Sequence, residues 1–137
     1  MLKNLIENKK AKVGIIGLGY VGLPLAMQIL KNGFEIIGVD IDKNRVSQIN
    51  QGKSYIDDIE EIEFKNFFKK GKLKATSDYR QLKICDVIII CVPTPVNINK
   101  EPDMTPVIAS TRGIKGILRK GQLIILKSTT YPETTEK

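Results

Sequence analysis

The sequence has no histidine and no tryptophan, only two cysteines, and aromatics at 6% of its 137 residues. Without histidine, Ser-His-Asp and Cys-His catalysis are excluded, and zinc loses its commonest nitrogen ligand, so no metal site is expected. Two cysteines give no disulfide framework. Cys85 and Cys91 bracket one predicted strand, which sets their Cα atoms roughly 20 Å apart at ~3.3 Å per residue, too far to bridge. The longest apolar run, Val87 to Val92, has six residues, against the ~20 needed to cross a bilayer. The N-terminal stretch, Met1 to Lys12, is Lys/Asn-rich and lacks the apolar core of a secretory signal. These absences predict a cytoplasmic protein without a membrane partner.

The length suits one domain. Hydrophobic residues at 42% and charged residues at 27% are ordinary globular composition, with apolar mass for one core. The formal charge of +7 comes from 22 Lys and Arg against 15 Asp and Glu. Lysine dominates and is scattered, clustering only at Lys9, Lys10 and Lys12 and along Lys65 to Lys74. Aromatics are few, and none interleaves with a basic stripe. This is a solvated lysine-rich surface and not a nucleic-acid interface.

Apolar runs alternate with helical periodicity, the βαβ signature. Strands are predicted at Val13–Ile16, Glu35–Val39, Leu73–Thr76, Val87–Val92 and Gln122–Leu126. The run at Val87 is apolar without a break, as a strand buried on both faces would be. Helices are predicted at Tyr20–Lys31, stopped by Asn32-Gly33, at Asp42–Asn50 with Asp42 as cap, and at Glu60–Lys70. A short one follows Ser77 or Asp78, and another covers Thr105–Leu118 with Pro106 in its first turn. Pro93, Pro95 and Pro102 make the segment after the fourth strand a loop. Residues 1–11 read as an N-terminal extension and 12–137 as one α/β domain, a doubly wound (Rossmann-type) parallel sheet of order 3-2-1-4-5. In such a sheet the ligand lies beyond the carboxyl ends of strands 1 and 4, at the topological switch point.

Gly17-Leu18-Gly19-Tyr20-Val21-Gly22 matches G-x-G-x-x-G between a buried strand and an amphipathic helix, the context that gives this motif meaning. Gly17 permits the tight turn, Gly19 lets backbone approach a pyrophosphate, and Gly22 lets the helix pack closely. The anion is held by amides at the helix start. Asp40 ends the second strand, where an acid holds the adenosine ribose hydroxyls and repels a 2′-phosphate, so NAD is preferred to NADP. Asp40 could instead cap a helix, but Asp42 is better placed for that. Lys43 and Arg45 follow closely and blunt the preference. The loops after the fourth and fifth strands, Pro93-Thr94-Pro95 and Ser128-Thr129-Thr130, should open on the same crevice, with hydroxyls able to bond a ribose, carboxamide or alkoxide.

Several blocks in order now carry a resemblance. Val13 to Ala26 (VGIIGLGYVGLPLA) resembles the opening of the UDP-glucose/GDP-mannose dehydrogenase family. Cys91 to Pro95 with Glu101 to Met104, and Ser128 to Pro132 with Thr134 to Glu136, resemble its segments after strands 4 and 5. With Ser54-Tyr55-Ile56, the blocks look closest to the UDP-N-acetylglucosamine 6-dehydrogenase branch. Lys127 departs from the Glu common in that branch, and Glu133 from a usual Gly. The resemblance implies the family's N-terminal NAD-binding domain, with cofactor contacts from Gly17, Gly19, Tyr20, Val21 and Gly22 and ribose binding by Asp40. It further implies Arg45 beside the adenosine, and Pro93, Thr94 and Thr129 near the nicotinamide, Thr129 in a supporting catalytic role.

Such enzymes oxidise the C6 alcohol of a nucleotide sugar to a carboxylate in two NAD-dependent steps through a thiohemiacetal on cysteine, and work as homo-oligomers. The matching nucleophile, catalytic Lys and Asn, dimerisation segment and UDP-sugar domain lie beyond this sequence. The chain alone is expected to bind NAD without turnover and to expose apolar surface. Cys85 and Cys91 read as small buried residues. Two other readings remain: a stand-alone dinucleotide-binding or sensing module, and a fragment of a hydroxyacid or phosphogluconate-type dehydrogenase.

Overall fold

The computed structural model of the protein describes residues 2–19, 21–53, 61–92 and 104–127. The β-branched runs form the strands of one parallel sheet: β1 (Lys12–Ile16), β2 (Glu35–Val39), β3 (Leu73–Thr76), β4 (Val87–Ile90) and β5 (Leu123–Leu126). Their order is β3-β2-β1-β4-β5, as the sequence predicts. The central strands finish level, with Ile16 opposite both Val39 and Ile90. Their carboxyl ends therefore share one rim.

The strand period of two sorts side chains onto two cores. Val13 and Ile15 of β1 pack with Leu23, Ala26, Met27 and Leu30 of α2 (Gly22–Lys31), and Phe64 of α4 (Glu61–Lys69) joins them. Ile16, Val39, Ile88 and Ile90 face the other way, onto Ile114 of α5 (Thr105–Lys115) and Leu82 of a 3-10 helix (Tyr79–Ile84). All four residues of β4 are buried, as the unbroken run requires. The equally apolar β5 is an edge strand, and its side chains stay 39–51% exposed.

Local signals explain most boundaries. Asp42 caps α3 (Lys43–Asn50), accepting from the amides of Asn44 and Arg45. Asp78 caps the 3-10 helix by accepting from the Arg80 amide. Gly33, at φ +94°, turns the chain after α2. Helix α2 begins at Gly22, with Val21 as its N-cap, later than the sequence predicts. Helix α5 stops at Lys115, short of Leu118, with Gly116 as its C-cap. Strand β4 ends at Ile90, although the Cys91 amide still donates to the Ile16 carbonyl at 2.7 Å.

Three features have no counterpart in the sequence reading. Residues Leu2–Glu7 form a helix, α1; Leu2 packs on the first core, and the Lys9 ammonium sits 5.4 Å above the Phe34 ring. Asn50 acts as a pseudo-strand at the open edge of β3, its amide donating to the Ala75 carbonyl at 2.9 Å and its oxygen accepting from the Ala75 amide at 3.2 Å. At the opposite rim from the switch point, Arg119 ties the start of β4 to the turn before β5. It donates to the carbonyls of Lys83 (3.0 Å) and Cys85 (3.2 Å) and to Asp86 Oδ1 (3.1 Å). The other oxygen of Asp86 accepts from the Lys12 amide at 2.9 Å.

Candidate functional site

The chain leaves β1 toward one face of the sheet, into α2, and the helix beyond β4 packs on the other face. Between them the rim opens into a cavity of about 570 Å³, bordered by Gly17, Gly19, Asp40, Arg45, Tyr79 and Ser110 among others. That size lies in the usual range for small-molecule sites.

Gly17 and Gly22 take the turn and the close packing that their spacing predicts. Gly17 adopts φ +95°, the left-handed region, where a side chain is strained. A Cβ on Gly22 would overlap the carbonyl oxygen of Gly17; only glycine lets α2 start this close to the turn. Val21, at the N-cap of α2, provides no side-chain cap, and the first turn carries no acid. The positive end of the helix dipole thus meets no acidic side chain from its own first turn. Gly19 and Val21 border the cavity beside it.

Asp40 lies at the next strand end, only 6% exposed. Its Oδ2 accepts from the Leu18 amide at 2.8 Å and its Oδ1 from the Asp42 amide at 2.8 Å. The carboxylate therefore ties the glycine turn to the start of α3. The helix cap is Asp42, as the sequence reading distinguishes. Arg45 Nη1 stands 3.5 Å from Asp40 Oδ2, while its Nε is 3.8 Å from Asp42 Oδ2. Each carboxylate oxygen has two lone pairs, so Oδ1 can still accept from a hydroxyl at the cavity, whereas a second hydroxyl on Oδ2 shares that oxygen with Arg45.

The far wall was not foreseen. Tyr79, from the start of the 3-10 helix, and Pro106, Ala109 and Ser110, from α5, face the glycine turn across the cavity. The clue available in the sequence was the small-residue spacing along one face of α5; Tyr79 gave none. The Ser110 hydroxyl is turned back onto the Pro106 carbonyl at 2.9 Å.

Both cysteines are buried and free. Burial, with Asp86 nearby, pushes the Cys85 thiol up to about 11, and burial also raises Cys91, which borders the cavity behind Gly17. Neutral buried thiols are poor nucleophiles. Among the described residues no group of three or more His, Cys, Asp or Glu side chains comes together as a metal site. No helix there is long and apolar enough to cross a membrane. Tyr20, Pro93, Thr94 and Thr129 lie outside the described residues.

A glycine turn held against a helix start and a buried carboxylate at the neighbouring strand end fit the pyrophosphate and ribose of a dinucleotide. Comparison with known proteins agrees. The profile of the UDP-glucose/GDP-mannose dehydrogenase family, NAD binding domain, matches residues 11–137. The chain is 38% identical over 129 residues to the UDP-N-acetyl-D-glucosamine 6-dehydrogenase of Pseudomonas aeruginosa, covering 94% of this chain and 30% of that protein. It is 39% identical over 129 residues to the UDP-N-acetyl-D-mannosamine dehydrogenase of Escherichia coli K12, covering 93% and 30%. Among solved structures, UDP-D-ManNAc dehydrogenase from Pyrococcus horikoshii superposes with a TM-score of 0.79 at 35% identity, over 91% of this chain and 30% of that one.

Proposed function

The chain belongs to the UDP-glucose/GDP-mannose dehydrogenase family, as its NAD-binding domain, and from that premise we propose that it serves a UDP-sugar 6-dehydrogenase. The reaction converts the C6 alcohol and water to a carboxylate, with two NAD⁺ reduced to two NADH and three protons released. The chain spans about 30% of the length of the relatives it matches. We therefore assign it the cofactor half of that task, carried by residues 12–137, and leave the sugar to the remainder of such an enzyme. The relatives' names favour an N-acetylated UDP-hexosamine over UDP-glucose. A nicotinamide dinucleotide and two free thiols suit the reducing cytoplasm.

One observation carries the reading: Asp40 stands at the rim beside the glycine turn, its carboxylate fixed by two backbone amides. In this assignment the amides at the start of α2, among Gly19, Tyr20, Val21 and Gly22, hold the pyrophosphate, and Gly17 shapes the turn. Asp40 accepts from the adenosine ribose hydroxyls and excludes a 2′-phosphate. Arg45 holds Asp40 in place and borders the adenosine. Pro93, Thr94 and Thr129 are assigned to the nicotinamide end on sequence resemblance, Thr129 as a hydrogen-bonding support. When bound, the nicotinamide supplies the hydride acceptor, which these residues would orient. No nucleophile is assigned to Cys91, whose thiol burial keeps protonated.

Calorimetric titration with NAD⁺ and NADP⁺ tests the reading. Saturable NAD⁺ binding, tighter than NADP⁺, is expected, together with no turnover of UDP-sugars by this chain alone. Equal affinity for both cofactors would remove the role given to Asp40, and steady turnover would remove the division of labour.

A further inference from the structure

We propose that Gly113 is a positioning residue: its missing side chain seats the Tyr79 ring as the wall of the purine end of the cavity. The proposal rests on the dinucleotide reading and adds to it the residues that receive the base. If Asp40 holds the adenosine ribose, the base lies beyond it, away from the glycine turn. Ile41, the next residue, is 82% exposed, a large apolar side chain bordering the cavity with nothing over it in the described structure. Across from it stand Tyr79 and the face of α5 that carries Pro106, Ala109 and Ser110.

Gly113 continues that face at helical spacing. Glycine in a helix interior is unfavourable relative to alanine, so its presence there calls for a reason. A Cβ on Gly113 would lie 2.8 Å from Cγ and Cδ1 of Tyr79 and 2.9 Å from Cε1. These atoms include the root of the ring, so no movement of a flexible tip relieves the overlap. Either the ring or the helix must shift, and both border the cavity or abut it. Tyr79 packs on the second core and also borders the cavity, so a displaced ring changes the wall that the base would meet. The ring and Ile41 then form two apolar walls of a slot that takes a flat aromatic base.

The test uses ADP as the adenylate probe and inorganic pyrophosphate, measured by competition with NAD⁺, as the probe of the glycine turn alone. Because the sequence has no tryptophan, tyrosine fluorescence is a direct readout beside calorimetry. Gly113→Ala should weaken ADP and NAD⁺ about tenfold, a difference of about 1.4 kcal/mol, with the pyrophosphate constant within about twofold and the helical circular dichroism unchanged. Tyr79→Phe, which keeps the ring, should bind ADP as the unmodified chain does, whereas Tyr79→Ala should lose about tenfold. ADP affinity unchanged in Gly113→Ala, or in Tyr79→Ala, overturns the proposal while NAD⁺ binding by the unmodified chain leaves the dinucleotide reading standing. Parallel loss of pyrophosphate and ADP also overturns it, since Gly113 would then act on the whole cavity. Failure of the unmodified chain to bind NAD⁺ removes both.

Discussion

Replacing Asp40 by alanine should destabilise the protein by about 2–4 kcal/mol, before any ligand is considered. A backbone N–H bonded to a charged acceptor contributes about 1.5–3 kcal/mol, and Oδ2 of Asp40 makes such a bond to the buried Leu18 amide at 2.8 Å. The bond from the Asp42 amide to Oδ1, also 2.8 Å, is only partly buried and adds roughly 0.5–1 kcal/mol. The Arg45 pair, at 3.5 Å with the guanidinium 38% exposed, adds little, about 0.5 kcal/mol or less after solvent screening. Against a typical total of 5–15 kcal/mol, the loss is large. Urea unfolding should show a lower midpoint with an unchanged slope. Asp40→Asn keeps one acceptor and turns an NH₂ toward the other donor, so it should recover less than half. NAD⁺ at 100 times its dissociation constant should stabilise the unmodified chain by about 2.7 kcal/mol, and this increment should vanish in Asp40→Ala. A variant within about 0.5 kcal/mol of the unmodified chain, at equal slope, would refute the anchoring of the glycine turn by this carboxylate.

Three further outcomes follow from the geometry. Gly22→Ala drives a methyl group into the Gly17 carbonyl; it should cost about 1–3 kcal/mol of stability and abolish measurable NAD⁺ binding by calorimetry, and wild-type affinity would refute the close approach of α2 to the turn. Cys85 ionises near 9 when unfolded but only near 11 when folded. The folded state therefore holds its proton more tightly, and stability should fall as pH rises from about 9 to 11, by about 2 kcal/mol from this group. Denaturant midpoints of Cys85→Ala should lack that share of the alkaline slope; coincident slopes would sink the assignment. Arg119→Ala should lower stability by about 1–2 kcal/mol, read as a lower melting temperature, and Arg119→Lys should not restore it, because a lysine cannot span the Lys83 and Cys85 carbonyls and Asp86 at once.

Much of this site is local, and the local part is what the sequence makes legible. The turn at Gly17, the helix that starts at Gly22, the strand that delivers Asp40 and the cap at Asp42 each depend on a few adjacent residues. Strand order is legible for another reason: alternating strands and helices leave few right-handed topologies. What escapes is whatever depends on a partner far along the chain. Asn50 looks like the polar end of a helix, and only the fold reveals that it closes the edge of β3 at Ala75. Arg119 looks like one more surface cation. Tyr79 and Gly113 are unremarkable separately; their meaning is a tertiary contact. Residues 123–126 read LIIL much as residues 87–90 read VIII, yet β4 is buried and β5 exposed. The difference lies in what flanks each strand, which periodicity does not encode.

The same bonds that build the cavity also prepare it. In the chain alone, Asp40 is already oriented by two amides and a guanidinium, so a ribose meets a fixed carboxylate. The amides leave a lone pair on Oδ1 for a hydroxyl, while Oδ2 also faces Arg45. Binding then adds a hydrogen bond without breaking either amide bond, and the carboxylate itself has no rotamer left to freeze. The glycine turn is held in the same way, by the Leu18 amide on Asp40 and by the Gly17 amide on the Val39 carbonyl at 2.8 Å. Ligand and fold thus depend on one set of contacts, and affinity for NAD⁺ and resistance to unfolding should rise and fall together across substitutions at Leu18, Asp40 and Gly22. Substitutions at Tyr79 and Gly113 touch no part of that set: whatever they cost through the second core, they should weaken the adenylate and leave the pyrophosphate constant unchanged.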